Sequence, residues 1–457
     1  MSEHEKFKIK SHEELSTKLQ DLNISLPVSN DLSIFSEPYK LGEYTLPNRF
    51  VSLPMEGVDS DEDLGPSELC FRRYDRFARG GAGLMWGEAC AVHPDGRSNP
   101  RQLVMNRGNL DKYKRLVEET RKAAKDSCGH DIVFILQLTH SGRYSKPQGF
   151  PAPIFAQHNP LLDEPLGLTK EDPIISDEAL DSLIDNYIET AKMSEEAGFD
   201  GVDMKAVHGY LVAELLGARE RPGKYGGSFE NRTRFFMDCM KGMQSALTKS
   251  FVTTRVTMME PSPYPYGWGV KAEEGSIEAD LSEPMQLIAK CEELKVPFLG
   301  ISLGYPRFQP HWNRPHDNSL AGAPPPPEHP LEGVVRMAEV TKSIQQKFPK
   351  LPMVACGISW LRTLMPQVAA GMLKEGYAEL IGLGRAILSY PNCVNDIINK
   401  GTMDPKETCI TCSMCSQIMA DVVSCTGCVV HDKGIYGPEY KKGRKAAIAQ
   451  AKAKKVA

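Results

Sequence analysis

The sequence predicts an α/β chain, a closed (β/α)8 barrel followed by a cysteine-rich segment. Three observations predict it. Short, nearly continuous apolar runs alternate along the chain with longer helical patterns, as do strands buried on both faces of a parallel sheet. Polar and titratable residues crowd the ends of these runs, where a barrel of this kind carries its chemistry. The length, 457 residues with 41% apolar and 25% charged, is enough for a full barrel with an appendage.

Taken in order, residues 1–37 form a polar extension with Leu15, Leu19 and Leu22 at helical spacing, expected to cover the barrel floor or meet another subunit. The barrel is expected over 38–400 and begins at "FSEPYKLGEYTLPNRFVSLPMEG". The second strand is "LMWGEA". The glycines of "GAGLMWG" precede this strand instead of leading from one into a helix, so they are not a dinucleotide fingerprint. The third, within "DIVFILQLTHSGR", ends in Gln137 and His140, with Arg143 in the loop beyond.

The fourth strand, Gly201-Val202-Asp203-Met204, follows the turn glycine Gly198. At its end lie Lys205, His208 and Tyr210, and a pattern with Leu211, Leu215 and Leu216 then reads as a long helix. Each of these three polar groups costs free energy to bury unpaired, so their meeting at a strand end reads as catalytic. A salt-bridged lysine, a capping histidine and a packing tyrosine are the other reading. "FVTTRVTMME" is the fifth strand, with Arg255 at its exit, and "VPFLGISLG" the sixth. The proline-rich stretch that follows, to about residue 330, is long for a connection and reads as a loop over the barrel mouth. In it His311, Trp312 and His316 either line a pocket or face solvent. "LPMVACGI" and "AELIGLGRAI" are strands seven and eight. Gly357 and Gly384 end them and Arg385 follows, a set that lets backbone amides and a guanidinium hold a phosphate.

The run "DGVxxxxxHGYL…YGGSxENRxRF", spanning Phe199 to Phe235, resembles the fourth strand and following helix of the old yellow enzyme family, NADH:flavin oxidoreductases built on FMN-binding barrels. The resemblance covers about residues 38–430, and much of "RPGKYGGSFENRTRF", including Arg221, Arg232 and Arg234, reads as structural. It implies that "LPNRFVSLPM" is the first strand, passing beneath the flavin with Pro54 and Met55. Glu56 then stands where many members have Cys or Thr. That excludes a cysteine-linked flavin at this position and places either an acid or base, or a carboxylate tied to an arginine, beside the ring. It further implies that the backbone at Ala89 approaches the flavin, that Gln137 meets its pyrimidine edge, and that Arg255 stabilises the anionic reduced ring. The phosphate falls to Gly357, Gly384 and Arg385. The family's His/His or His/Asn substrate-binding pair is here Lys205 and His208, a departure, and Tyr210 stands where the family's proton donor lies. The implied reaction is reduction of an activated C=C bond, of enone or enoate type, by hydride from flavin N5. An amine or other small-substrate dehydrogenase is the alternative, and a non-catalytic electron-transfer subunit or a barrel with a structural zinc the second.

Twelve cysteines divide into seven scattered singly and five between Cys409 and Cys428, a distribution unlike a disulfide framework and suited to a reducing compartment. Cys409, Cys412, Cys415 and Cys428 give C-x2-C-x2-C-x12-C, within a segment expected over 401–435. This spacing resembles the [4Fe-4S] site of the 2,4-dienoyl-CoA reductase and trimethylamine dehydrogenase branch. Cys409/Cys412 with Cys425/Cys428 is instead the pattern of a zinc knuckle, and thiolates suit both metals. Relatives of that branch continue into FAD- and NAD(P)-binding domains; here a basic tail, 436–457, follows and no GxGxxG occurs. The expected electron source is therefore a separate ferredoxin or flavoprotein reductase reaching the cluster, with NAD(P)H as direct donor the competing account.

A net charge of -5 argues against nucleic acid and membrane surfaces as partners, and the start, "MSEHEKFKIK", has no apolar core of a signal peptide. A cytoplasmic homo-oligomer acting on a small molecule is expected.

Overall fold

The apolar runs become strands because almost every residue in them is covered on both faces. In the computed structural model, which describes residues 3–421 and 425–456, the runs Leu84–Ala91, Val133–Thr139 and Gly201–Ala206 are buried throughout. Residues 1–2 of the predicted extension, 457 of the tail and 422–424 of the cysteine-rich segment lie outside the described residues. The barrel strands are β1 (Phe50–Ser52), β2 (Leu84–Ala91), β3 (Val133–Thr139), β4 (Gly201–Ala206), β5 (Phe251–Thr257), β6 (Leu299–Ser302), β7 (Met353–Ala355) and β8 (Leu380–Leu383). They pair in parallel in this order, and β8 closes on β1 through Ile381 beside Phe50. The chain is thus the predicted (β/α)8 barrel, with all eight strands where the apolar runs place them.

Register fixes which side chains share the interior. Gln137 lies beside Asp203, and Lys205 beside Arg255, so the inward-facing residues of β3, β4 and β5 form two successive layers. The register between β2 and β3 shifts across Gly87 and Ala89, a bulge that turns Glu88 away from this alternation.

Outside the strands run α1 (His12–Asp21), α2 (Glu68–Ala78), α3 (Leu110–Cys128), α4 (Asp177–Glu196), α5 (Phe229–Ala246), α6 (Ser282–Glu293), α7 (Pro330–Lys347) and α8 (Met365–Lys374). Serines 67, 176 and 228 cap α2, α4 and α5 by accepting the N–H three residues on. After β8, α9 (Cys393–Lys400) completes the ring beside the end of α2, where Asn395 donates to the Arg79 carbonyl, and beyond the barrel lie α10 (Met414–Ala420) and α11 (Lys433–Val456). The long helix expected after β4 is short, Leu211–Leu216. Gly217 ends it against the Tyr266 carbonyl, and the turn-rich "RERPGKYGG" delays the next helix, α5, to Phe229.

The floor is closed by a two-stranded hairpin, Tyr39–Leu41 with Tyr44–Leu46, whose Tyr44 ring meets Phe251 at the start of β5. The last residues of the extension join it at the floor, where the buried Phe35 ring lies 4.5 Å from that of Phe50 at the start of β1. Leu15 and Leu19 of α1 are buried as their spacing predicts, and the residues ahead of α1 reach the opposite rim. Phe7 N–H donates to the Asp317 carboxylate at 3.2 Å, and the Phe7 ring meets Trp360 edge-on. Asp317 also accepts from Trp360 and Arg362, and its N–H bonds the Thr411 carbonyl. One carboxylate therefore ties the extension, the loop after β7 and the cysteine-rich segment together at the mouth.

Candidate active site at the barrel mouth

Alternation along β4 aims Asp203 and Lys205 into the barrel, two residues apart on the same face. Asp203 is fully buried and accepts from Trp86 Nε1 at 2.8 Å, Gln137 Nε2 at 2.6 Å and the Arg255 backbone N–H at 2.6 Å. Burial pushes its carboxyl up to about 6 against these three hydrogen bonds. Gln137, expected at a flavin's edge, is thereby oriented from below, with its amide NH₂ held by Asp203.

One layer higher, Lys205 Nζ donates to Glu56 Oε1 at 2.8 Å, and Ser98 donates to the other Glu56 oxygen at 3.2 Å. The lysine belongs to β4 itself, not to the loop beyond it. Glu56 is paired with Lys205, in place of the arginine expected for it; of the two carboxylates open to a salt-bridged Lys205, Asp203 and Glu56, it is Glu56 that the lysine meets. The Lys205 ammonium also lies 4.1 Å from the centre of the Tyr210 ring.

His208 and Gly209, between Lys205 and Tyr210, both have positive φ, +70° and +65°. This turn is what swings Tyr210 back over the lysine. Gly209 tolerates the geometry and the contact, because a Cβ there would strike the Tyr305 ring. Its N–H donates at 2.7 Å to Glu260 Oε1, just beyond β5. Glu260 is fully buried, and burial pushes its carboxyl up to about 8. His208 Nε2 meets Asn313 Nδ2 at 3.0 Å, and Asn313 also donates to Ser302 Oγ at 2.9 Å. Burial, followed by the charges of Arg255, Lys205 and Arg314, drives the His208 pKa well below its ordinary value, so its imidazole is neutral at physiological pH.

The remaining predicted residues ring the same opening. Arg255 reaches Cys356 Sγ at 3.8 Å with its Nε buried and unpartnered. Arg385 donates to the Pro315 carbonyl at 2.8 Å and keeps Nη1 buried and unpartnered. Pro54 and Met55 lead out of β1, and Met55 Sδ would lie 3.2 Å from a Cβ at Gly384, so the exits of β1 and β8 adjoin. Gly357 turns with φ of +89°. Ala89 is buried in β2, and its carbonyl accepts from Gln102.

Cys409, Cys412, Cys415 and Cys428 line a single pocket next to the mouth, with Arg385 and His431 in its wall. Cys425 is elsewhere, buried with Ile418, Val429 and Tyr436. Thr411 and Ser413, between the first three cysteines, adopt positive φ of +49° and +59°, a turn that directs all three thiols to one side. Thr426 N–H donates to the Gly57 carbonyl at 2.6 Å, so the last two cysteines are moored to the loop after β1.

Residues 33–268, more than half of the chain, match the profile of the NADH:flavin oxidoreductase / NADH oxidase family. The chain belongs to this family. Among related proteins, the NADH oxidase of Thermoanaerobacter brockii is 26% identical over 387 residues, 84% of this chain and 53% of that protein. The N,N-dimethylglycine/sarcosine dehydrogenase of Chromohalobacter salexigens is 25% identical over 385 residues, 83% of this chain and 50% of that protein. The chain thus spans about half the length of these relatives. The structure of a 2-naphthoyl-CoA reductase in complex with 2-naphthoyl-CoA superposes with a TM-score of 0.69 at 19% identity, over 90% of this chain and 58% of that one.

Against this flavin oxidoreductase pattern, several residues were assigned no role from sequence. Asp203 and Glu260 look like ordinary strand-end acids until burial shows one beneath Gln137 and the other beneath Gly209. Asn313 and Arg314 lie in the mouth loop, where only His311, Trp312 and His316 had been singled out. Trp312 is covered by Arg336 at 4.3 Å, and His316 turns inward to the Arg314 carbonyl. The structural readings hold for Arg221, paired with Asp177, and Arg232, paired with Glu283; Arg143, equally open to a structural or a functional role in sequence, pairs with Glu214 and Asp163. Behind the mouth Asp59, Cys70 and Glu88 bring ligand atoms within 4.8 Å of one another, but Arg73 bonds both carboxylates and supplies the balancing charge. Among the described residues no helix is long and apolar enough to cross a membrane.

Proposed function

We propose that this chain is an FMN-dependent oxidoreductase that reduces an activated C=C bond and carries a [4Fe-4S] cluster in the four-cysteine pocket. The observation that carries the reading is a set of buried polar atoms at the mouth end of the barrel without partners among the described residues: Ser52 Oγ, Thr139 Oγ, Arg255 Nε and Arg385 Nη1. Each would cost about 1–3 kcal/mol to bury unsatisfied, and together they suit a polar, anionic ligand lying across β1, β3, β5 and β8. FMN, when bound, supplies the hydride.

Arg385, with the turns at Gly357 and Gly384, would hold the phosphate, and Arg255 and Gln137 the polar edge of the ring. His208, neutral, donates to the substrate's electron-withdrawing oxygen and stabilises the negative charge that develops there. Tyr210 gives its hydroxyl proton to the substrate carbon. Lys205, anchored by Glu56, lies against the Tyr210 ring and holds it over the mouth. Tyr144 and Tyr305, both buried beside this loop, keep water from the proton path.

The cysteine wall favours an iron–sulfur core over zinc. A single zinc with bonds of about 2.3 Å draws four sulfurs to within roughly 4 Å of one another. Among the described residues the acidic trio above is the only group of three ligating side chains within 4.8 Å, so no three of these thiols are that close. Thr411 N–H and His431 N–H each donate to a thiol at 3.4 Å, Cys409 and Cys428 respectively, contacts that would tune a cluster's potential. Reduced nicotinamide is the donor that the family's name supplies, and a ferredoxin or flavoprotein reductase reaching the cluster is the other. The second reading, oxidation of an amine with electrons leaving through the cluster, is favoured by the dimethylglycine/sarcosine dehydrogenase among the relatives.

Anaerobic purification followed by assay of bound FMN, iron and sulfide tests the cofactor assignment. Rapid mixing with NADH and, separately, with reduced ferredoxin then separates the donors. Protein that binds neither FMN nor iron would refute the reading.

A further inference from the structure

We propose that Asn313 is a positioning residue for His208: its amide N–H donates to Nε2 and so holds the imidazole proton on Nδ1, the nitrogen that faces the substrate. The proposal rests on the reading of His208 as the donor to substrate oxygen. An imidazole offered a donor on one nitrogen must carry its proton on the other. His208 Nε2 has Asn313 Nδ2 at 3.0 Å, while Nδ1 makes no hydrogen bond among the described residues and the side chain is only half-buried. Burial, followed by the charges of Arg255, Lys205 and Arg314 around the ring, keeps it neutral. A neutral ring can donate only from the nitrogen that its neighbour leaves protonated.

The amide is well placed for this task because its loop is held on both sides. Asn313 also donates to Ser302 Oγ at the end of β6. The next residue, Arg314, donates to Ser413 Oγ at 3.0 Å, between Cys412 and Cys415. Pro315 accepts from Arg385, and Asp317 N–H donates to Thr411 at 3.2 Å. Four of the five residues 313–317 thus touch the substrate histidine, the phosphate arginine or the cysteine segment. A residue so tethered can fix a tautomer with little loss of side-chain entropy on ligand binding.

The test uses the FMN-loaded protein with ¹⁵N-labelled histidine, the His208 signal assigned from its loss in His208→Gln. The proposal expects the Nδ1–H tautomer in the native protein and a shift toward the Nε2–H form in Asn313→Ala. Titration with 4-hydroxybenzaldehyde, whose phenolate imitates the substrate enolate, should weaken about tenfold in Asn313→Ala, the loss of about one hydrogen bond. Asn313→Asp, nearly isosteric, provides the second variant. Its carboxylate accepts from Nε2–H and favours the imidazolium, so phenolate binding should acquire a pH inflection absent from the native protein. An Nε2–H tautomer in the native protein, or unchanged tautomer and affinity in Asn313→Ala, would overturn the proposal. If the tautomer is as expected but no enone is reduced, the positioning role stands and the reductase reading falls.

Discussion

Lys205 and Glu56 meet at 2.8 Å across the barrel mouth, with the two side chains 4% and 9% exposed. Each is a departure from the family pattern on its own, and together they compensate one another: β4 supplies a cation and the loop after β1 the matching anion. Removing a single partner from a buried pair leaves an uncompensated charge, whereas replacing both with apolar groups often costs little. Glu56→Gln should therefore destabilise the fold by about 3–5 kcal/mol, and Glu56→Leu with Lys205→Met should recover most of that. Denaturant unfolding of the three proteins checks it. An unchanged midpoint in Glu56→Gln would mean that the pair is solvated.

Tyr210 carries the proton in this account. Tyr210→Phe should keep FMN and stability while slowing the re-oxidation of reduced protein by an enone by about 10²–10⁴-fold, the usual loss for a general acid. Stopped-flow traces that coincide with the native protein's would remove Tyr210 from the mechanism.

Glu260 links stability to pH. Its carboxyl is raised to about 8 in the fold, so between the ordinary carboxylate range and pH 8 the folded protein binds more protons than the unfolded chain. The stabilisation is complete below the unfolded value and is lost as pH rises through 8. Glu260→Gln removes this term. The melting temperature of Glu260→Gln minus that of the native protein should rise steadily from pH 5 to pH 9, in a window about that wide around the shifted carboxyl. A flat difference would show that Glu260 ionises normally.

The cysteine wall makes a sharp distinction between neighbours three residues apart. Cys428→Ala should lose iron on anaerobic purification, and Cys425→Ala should retain it with FMN content unchanged in both. Iron lost from Cys425→Ala and kept in Cys428→Ala would reverse the ligand assignment.

The barrel was legible because periodicity and strand-end polarity are local signals, and each apolar run became a strand. Lys205, His208 and Tyr210 were legible for the same reason, lying within six positions of one chain segment. What sequence could not show were the pairings made across the barrel. Glu56 and Lys205 are 149 residues apart, and Gly209 and Glu260 are 51 apart, so no spacing announces either. Asn313 lies in a loop without periodicity, where a single asparagine carries no pattern. The extension meets the floor through Phe35, as expected, but its reach to the rim was not legible, because helical spacing reports only that one face is covered. What covers it, and that Phe7 reaches Asp317 at the rim, depends on the closed barrel.

The central claim, hydride delivery to a C=C bond with Tyr210 as proton source, is tested most directly by a single anaerobic turnover. The protein, reduced by light or dithionite, is mixed with cyclohexenone while the oxidised-flavin absorbance is followed and the product identified. The account predicts recovery of that absorbance with formation of the saturated ketone, slowed in Tyr210→Phe. No recovery with the enone, together with bleaching when the oxidised protein meets a tertiary amine, would contradict it.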